Sequence, residues 1–390
     1  MSDGKPLSSP LRVLELRSAS DQGGGPERSI LDAAALGETL LVSETLCFLR
    51  REGAPPFLAH SRAQEMGLPS FVLEERRAMD HRTLGRLRAL VREHRIQIVH
   101  SHDYKADLLA FLLARVEPIV LIATAHGWPV RTLREQLLYY PVDQRMLRSF
   151  ALVIAVSKEI RGKLLRRGAR PERVRYLPNA VDTQALTVEA GVRARIRDHW
   201  GVDDKERVLG TVGRLEAEKR PDLILRIFAS LCQRFSDIRL VMAGAGPMSA
   251  TLENEARSLG VEDRCLFLGH RSDIEAVYQG FDLFIQASDY EGFPFAVLDA
   301  MALEVPLAVT GVGGTADLIE DGAHGLVVPA ESPEVLERAI NQILQDPKAS
   351  RQRALAARQR VVEEFSLESR QRQVVDLLRG LVPPDARAGE

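Results

Sequence analysis

Short apolar, β-prone runs alternate with helical segments along nearly the whole chain, and that alternation constrains the fold more than any other feature. In the first half the runs are LRVLELR (11–17), ETLCFLRR (44–51), SFVLEE (70–75), IQIVHSHD (96–103), PIVLIATAH (118–126), ALVIAVS (151–157) and VRYLPN (174–179). In the second half they are RVLGTVGR (207–214), IRLVMAG (238–244), RCLFLG (264–269), FDLFIQAS (281–288), PLAVT (306–310) and GLVVP (325–329). Runs this apolar read as strands buried on both faces. Helical patterns fill Thr83–Glu93, Leu108–Ala114, Glu334–Gln345, Ser350–Glu364 and Leu367–Leu381; Arg131–Phe150 reads as a helix or two, interrupted at Pro141. Strand–helix alternation implies parallel sheets with helices on both faces. Ligands of such sheets sit at the carboxyl ends of the strands.

A chain of 390 residues favours two domains, and 45% apolar content is enough for two full cores. PNAVDT (178–183) reads as the crossover between them. Net charge is only -2, but residues 1–180 carry 28 Lys and Arg against 20 Asp and Glu, and the remainder 24 against 34. The basic half suits an anionic membrane surface or a phosphorylated acceptor. No nucleic-acid partner is expected. Cys47, Cys232 and Cys265 lie far apart, without metal-ligand spacing, and read as core thiols in a reducing cytoplasm. No signal peptide is visible in the polar first ten residues. The most apolar long window, Ala106–Ala125, is broken by Asp107, Arg115, Glu117 and Pro118, so it reads as helix then strand, not a membrane span. Any membrane attachment is expected to be peripheral.

The most informative stretch is FDLFIQASDYEGFPFAVLDAMA, Phe281–Ala302. A buried strand ends in a turn at Asp289–Gly292, and Pro294 stands where a helix accepts it, at the first helical position. Phe295, Leu298, Ala302 and Leu303 follow at helical spacing as the expected core face. The free amides of a helix start favour anions. Two acids flank this start, Glu291 in the turn and Asp299 on the helix.

This stretch resembles the signature of the glycosyltransferase family 4 enzymes. Their pattern is a Glu, seven residues and a second Glu, with Gly-Phe-Pro after the first. Here it reads Glu291, Gly292, Phe293, Pro294, Phe295 and then Asp299 in place of the second Glu. The resemblance implies the GT-B fold: two Rossmann-like parallel-sheet domains facing across a cleft. The expected limits are 1–180 for the acceptor-side domain and 181–365 for the nucleotide-sugar domain. A helix at 366–382 should pack back on the first domain, and 383–390 should be a disordered tail.

Further motifs occur in family order. GRLEAEKRPD (213–222) resembles Gly-Arg-Leu-x3-Lys-Gly, in which Arg214 and Lys219 would hold the diphosphate and Gly213 ends the strand. Arg binds phosphate oxygens in pairs, while Lys adds a point charge. Arg220 replaces the family's common Gly. Gly24 and Gly25, before Pro26, Glu27 and Arg28, match Gly-Gly-x-Glu-Arg, placed near the donor phosphates or the acceptor. They follow Gly23 in a loop that could admit a phosphate. The loop lacks a Walker sequence. His126, after Ala125 and before Gly127, resembles the Thr-His-Gly histidine that touches the donor sugar. Gly269 and His270 match the loop holding the base, AGAGPM (243–248) a turn motif, and GVGGTADLI (311–319) a loop beside the same site. His100, His102, Asp103 and Tyr104 end a strand at the same edge, and the last three could line the acceptor side. HSHD suggests metal ligation, but no second cluster in the sequence completes a ligand set.

The implied activity is retaining, metal-independent transfer of a sugar from a nucleotide-sugar to a hydroxyl of a glycan or lipid-linked acceptor. UDP is the expected base, and polysaccharide or glycoconjugate biosynthesis the expected setting. Arg82, Arg86, Arg88 and Arg92 on one helical segment, and Arg131, Arg134, Arg145 and Arg148 along another, resemble the family's membrane-facing surface, which reaches lipid-linked acceptors. Glu291, Arg214, Lys219 and His126 would carry the chemistry. No cofactor and no essential metal are expected, because no Asp-x-Asp is present to hold an ion at the diphosphate. The alternatives are a non-catalytic nucleotide-sugar-binding or scaffold protein on the same fold, which Asp299 favours, and a UDP-sugar epimerase.

Overall fold

The structure is a computed structural model that describes residues 10–18, 24–54, 57–76, 80–128 and 132–382. Gly23, Arg131 and the tail 383–390 therefore lie outside the described residues. The chain divides into two compact units, Met1–Asn179 with Leu367–Glu390, and Ala180–Ser366.

In the first unit β1 (Leu11–Ser18), β2 (Val42–Arg51), β3 (Ser70–Glu75), β4 (Ile98–Ser101), β5 (Val120–Ala125), β6 (Leu152–Ala155) and β7 (Val174–Tyr176) form one sheet. Their order is β3-β2-β1-β4-β5-β6-β7 and every pairing is parallel. On one face Leu11, Val13, Ile98, Ile122, Leu152 and Ile154 make an apolar floor, covered by Val374, Val375 and Leu378 of the helix Leu367–Leu381. Because side chains alternate along a strand, Glu15, His100 and Thr124 continue the same face toward the carboxyl ends. The floor is thus oily at one end and polar at the other.

The second unit holds β8 (Arg207–Val212), β9 (Ile238–Ala243), β10 (Cys265–Gly269), β11 (Leu283–Gln286), β12 (Leu307–Thr310) and β13 (Leu326–Val328). The order is β10-β9-β8-β11-β12-β13, again all parallel. Its core runs through Leu209, Leu240, Leu283 and Ile285 into the helices Pro221–Cys232 and Pro333–Gln345. In each sheet the winding direction reverses beside the first strand, between β1 and β4 and between β8 and β11. Crevices at such reversals are where open parallel sheets bind ligands.

Three local expectations need correction. Pro294 is the cap before the helix Phe295–Ala302, at φ -78 and ψ 113, not its first residue. That helix is buried on nearly all sides, including Asp299, whereas Phe295 is only half-buried, so no single face through Phe295 carries the core. Pro141 does not interrupt a helix. A wide π turn at Glu135–Tyr139 precedes it, and Pro141 then sits at the start of the helix Tyr140–Met146, where a missing N–H costs little. No helix among the described residues is long and apolar enough to cross a membrane.

Candidate active site

The loops after β8 and β11 meet at the reversal point of the second sheet. Beyond β8, Gly213 takes φ +151, Arg214 projects, and Ala217–Lys219 form a tight 3-10 turn. Lys219 therefore closes a short turn and does not open the following helix, which starts at Pro221. Arg220 between them sits at φ +51, a left-handed conformation that glycine adopts without strain. The backbone here asks for the glycine that the sequence lacks.

The acid loop is fastened to this turn. Asp289 N donates to Glu218 O at 2.9 Å. Lys219 Nζ donates to Glu291 Oε1 at 2.7 Å, and the same oxygen accepts from Gln286 Nε2 at 2.8 Å and Ser288 Oγ at 2.7 Å. Glu291 is buried, so these donors replace the water it loses. Arg214 is partly exposed and forks onto Glu216 at 2.8 Å and Glu218 at 3.0 Å.

Glycines let these loops touch backbone to backbone. A Cβ on Gly313, at φ +51, would lie 1.7 Å from the carbonyl oxygen of Glu291. Gly314 donates its N–H to Gly292 O at 3.1 Å. The AGAGPM loop does the same for the other strand end, where a Cβ on Gly244 would stand 1.8 Å from Gly213 O. Phe293 is buried against Phe365, with ring centroids 5.6 Å apart, so it anchors the turn. Gly269, at φ +62, accepts from Gly244 N at 2.8 Å, and His270 beside it is exposed.

The first unit gathers a second group of polar residues at its own reversal point. His100 Nδ1 lies 3.0 Å from Glu15 Oε1, and His102 Nε2 lies 2.5 Å from Glu15 Oε2. His100 Nε2 reaches Thr124 Oγ1 at 2.7 Å, and His102 Nδ1 faces His126 Nε2 at 3.4 Å. Burial pushes the Glu15 carboxyl up, but the charge and hydrogen bonds of His100 and His102 outweigh this and hold it below the usual carboxylate range. Burial, with the charge of His100 adding to it, takes His102 down to about 4. Burial, then the positive charge of Arg17, holds His126 well below the ordinary imidazole value.

Three sequence expectations change here. His102 is buried with both ring nitrogens engaged, which leaves none for an acceptor. Asp103 caps the helix Tyr104–Leu113, accepting from Lys105 N and Ala106 N, and also binds Ser18 N at 2.6 Å. Tyr104 remains partly exposed and stacks on Tyr139. The fold brings Glu15 beside His100 and His102 of HSHD, with the ligating atoms of all three within 4.8 Å. The signal for Glu15 was present in the sequence: a lone acid between Leu14 and Leu16 in a run otherwise fit for burial. Gly24 and Gly25 open the helix Gly25–Gly37; the carbonyl of Gly24 accepts from Arg28 N at 3.0 Å, and Glu27 pairs with Arg17 at 2.9 Å.

Two parallel α/β units, each with a polar cluster at its sheet reversal, define a GT-B protein. The match to a solved fold agrees: Anabaena HepE in complex with UDP-glucose superposes with a TM-score of 0.83 at 19% identity, covering 95% of this chain and 100% of that one. Residues 192–360 match the family described as Glycosyl transferases group 1, and residues 23–185 match Glycosyltransferase Family 4. The chain belongs to these glycosyltransferases, and it is an enzyme of that class. Among curated relatives, the alpha-D-kanosaminyltransferase of Streptomyces kanamyceticus is 28% identical over 297 residues, 72% of this chain and 76% of that protein. The GDP-mannose-dependent alpha-(1-6)-phosphatidylinositol monomannoside mannosyltransferase of Mycolicibacterium smegmatis is 26% identical over 310 residues, 76% of this chain and 80% of that protein.

Proposed function

We propose that the protein moves a sugar, with retention and without a metal ion, from a nucleotide-diphosphate sugar to a hydroxyl of a glycan or lipid-linked acceptor. UDP is the base we favour, since HepE is described with UDP-glucose. The observation that carries this reading is the fastening of a cationic turn, Arg214 and Lys219, to a buried acid, Glu291, at one sheet reversal. A diphosphate would compete with Glu216 and Glu218 for Arg214 and with Glu291 for Lys219. As the bond to the sugar breaks, negative charge grows on the departing diphosphate, and fixed cations stabilise it without reorganising. Three donors converge on Oε1 of Glu291, so Oε2 is the oxygen we assign to a donor-sugar hydroxyl. His126 is assigned a second contact to that sugar. Asp299 is assigned the ribose hydroxyls, with a bridging water making up for its shorter side chain.

Peripheral contact with an anionic membrane belongs to the same proposal, on the second of the two arginine-bearing segments rather than the first. Arg88 and Arg92 are both engaged with Glu117, at 2.5 and 2.8 Å. The exposed apolar residues lie instead at Leu133, Leu137, Leu138 and Val142, with Arg134 and Arg145 exposed among them. Apolar side chains ringed by cations suit an anionic lipid surface.

The experiment is a panel of nucleotide-sugars scored by thermal stabilisation, since a ligand bound only by the native state raises its melting point. Turnover of the best donor with EDTA, and NMR of the product anomer, follow. At least one donor should stabilise the protein, EDTA should leave the rate unchanged, and the anomer should be retained. Asp299→Ala should weaken nucleotide binding more than turnover of bound donor. A panel with no stabilising donor rejects the proposal.

A further inference from the structure

Glu15, His102 and His126 stand in a line on one face of the first sheet, at the carboxyl ends of β1, β4 and β5. The distances allow one consistent proton assignment. An ionised carboxylate only accepts, so His102 Nε2 and His100 Nδ1 both donate to Glu15. With Nε2 protonated and the ring neutral, His102 Nδ1 is an acceptor. The partner it faces, His126 Nε2 at 3.4 Å, must then carry a proton. His126 Nδ1 is left as a bare acceptor. On the other branch, His100 Nε2 pairs with Thr124 Oγ1. Each hydrogen bond along the line then has one donor and one acceptor. Arg17 and Arg370 both act electrostatically on His126, and Arg370 also acts on Glu15. Arg17 further donates to His102 O at 3.2 Å, fixing the backbone of that link.

We propose that Glu15, acting through His102, fixes the ring tautomer of His126 so that His126 offers Nδ1 as a hydrogen-bond acceptor, and that this selects a sugar hydroxyl over a carboxylate at that contact. Glu15 and His102 are positioning residues; His126 makes the contact. The selection rests on the sugar-contacting role assigned to His126 above. An acceptor nitrogen binds a hydroxyl and repels the lone pairs of a carboxylate, so the donor class is a neutral sugar and a uronate is excluded. Leaving a buried polar group unmatched is what makes such discrimination large. Glu15, His100 and His102 bring their ligating atoms within 4.8 Å of one another, so a bound cation is the rival account.

The test reads the tautomer directly, by nitrogen-15 histidine spectra of the full-length protein. Wild type should show His126 as a single tautomer protonated at Nε2. His102→Leu breaks the line and should populate both tautomers. Glu15→Gln offers one carbonyl to two imidazole donors and should do the same. His102→Gln can donate to Glu15 and accept from His126, so it should restore the single tautomer and show that the effect is not general damage. An unchanged His126 tautomer in both Glu15→Gln and His102→Leu overturns the proposal. So does uptake of one equivalent of zinc by the wild type that His102→Leu abolishes. On turnover, the preference for UDP-glucose over UDP-glucuronate should shrink about tenfold in His102→Leu, through KM, and recover in His102→Gln; an unchanged ratio overturns the selection. Because the tautomer is read without substrate, the relay is decided even if no nucleotide-sugar proves to be a donor.

Discussion

Lys219 Nζ and Glu291 Oε1 lie 2.7 Å apart although the residues are 72 positions apart in the chain. The pair joins the loop after β8 to the loop after β11, and it links the proposed diphosphate-binding and sugar-binding groups directly. Lys219→Ala should therefore lose more than a phosphate contact. Loss of one transition-state contact of this type costs about 2.7–4 kcal/mol, or roughly a 10²–10³-fold fall in kcat. Glu291 would also be left buried with two neutral donors and no cation. Lys219→Ala with Glu291→Gln should be less than additive, because each single variant breaks the same pair. Additive losses in kcat would show that the two act separately.

Gly313 tests whether the backbone of the acid loop is held by contact. Its φ of +51 and the 1.7 Å approach of the Glu291 carbonyl forbid a side chain. Gly313→Ala should cost at least about 2 kcal/mol, since the left-handed conformation alone costs roughly 1–2, and should abolish donor binding. Gly85, within the helix His81–Glu93 and with nothing near its missing Cβ, provides the control. Gly85→Ala should gain roughly 0.5–1 kcal/mol and leave binding alone. Thermal melts and calorimetric titration check both; normal donor affinity in Gly313→Ala would remove the contact argument.

Asp107 and Asp143 form a buried acid pair. Burial is the main force raising both, with Asp143 reaching about 6, and each carboxyl acts on the other. Trp128 Nε1 donates to Asp143 at 2.9 Å, and Ser101 donates to Asp107. An acid with a raised folded-state pKa binds its proton more tightly when folded. Its contribution is therefore most favourable below the unfolded value near 4 and is lost as pH rises through about 6. Asp143→Asn removes that titration. The melting temperature of Asp143→Asn relative to wild type should rise between pH 4 and pH 7, and a constant difference would contradict the pair.

The apolar face at Leu133–Val142 makes the membrane proposal specific. Leu137 is 73% exposed, and burying a leucine side chain contributes about 1.5–3 kcal/mol. Leu137→Ser should weaken binding to phosphatidylserine-containing vesicles by roughly tenfold. Arg88→Ala should change it little, because that guanidinium is held by Glu117. High salt should weaken binding through the exposed arginines. Vesicle sedimentation decides; equal recovery of Leu137→Ser and wild type would direct the search to a soluble acceptor.

The sequence alone was enough for the two parallel sheets and for the loops of the second unit. Unbroken apolar runs can only be strands covered on both faces, and motif residues such as Gly213, Arg214, Glu291 and Gly313 sit within a few positions of a strand end. Local pattern carries that information. Tertiary structure decided which strand ends become neighbours. Glu15 meets His100 and His102 only because β1 pairs with β4 in a register that sets Glu15 opposite His100, 85 positions along. Arg88 and Arg92 looked available for a membrane until the fold brought Glu117 to them. Leu137, from a stretch that looked like an ordinary helix, was left outside the core by a π turn. Strand register and helix facing depend on long crossovers that fold back onto the sheet. Those contacts join distant residues, so no window of sequence holds them.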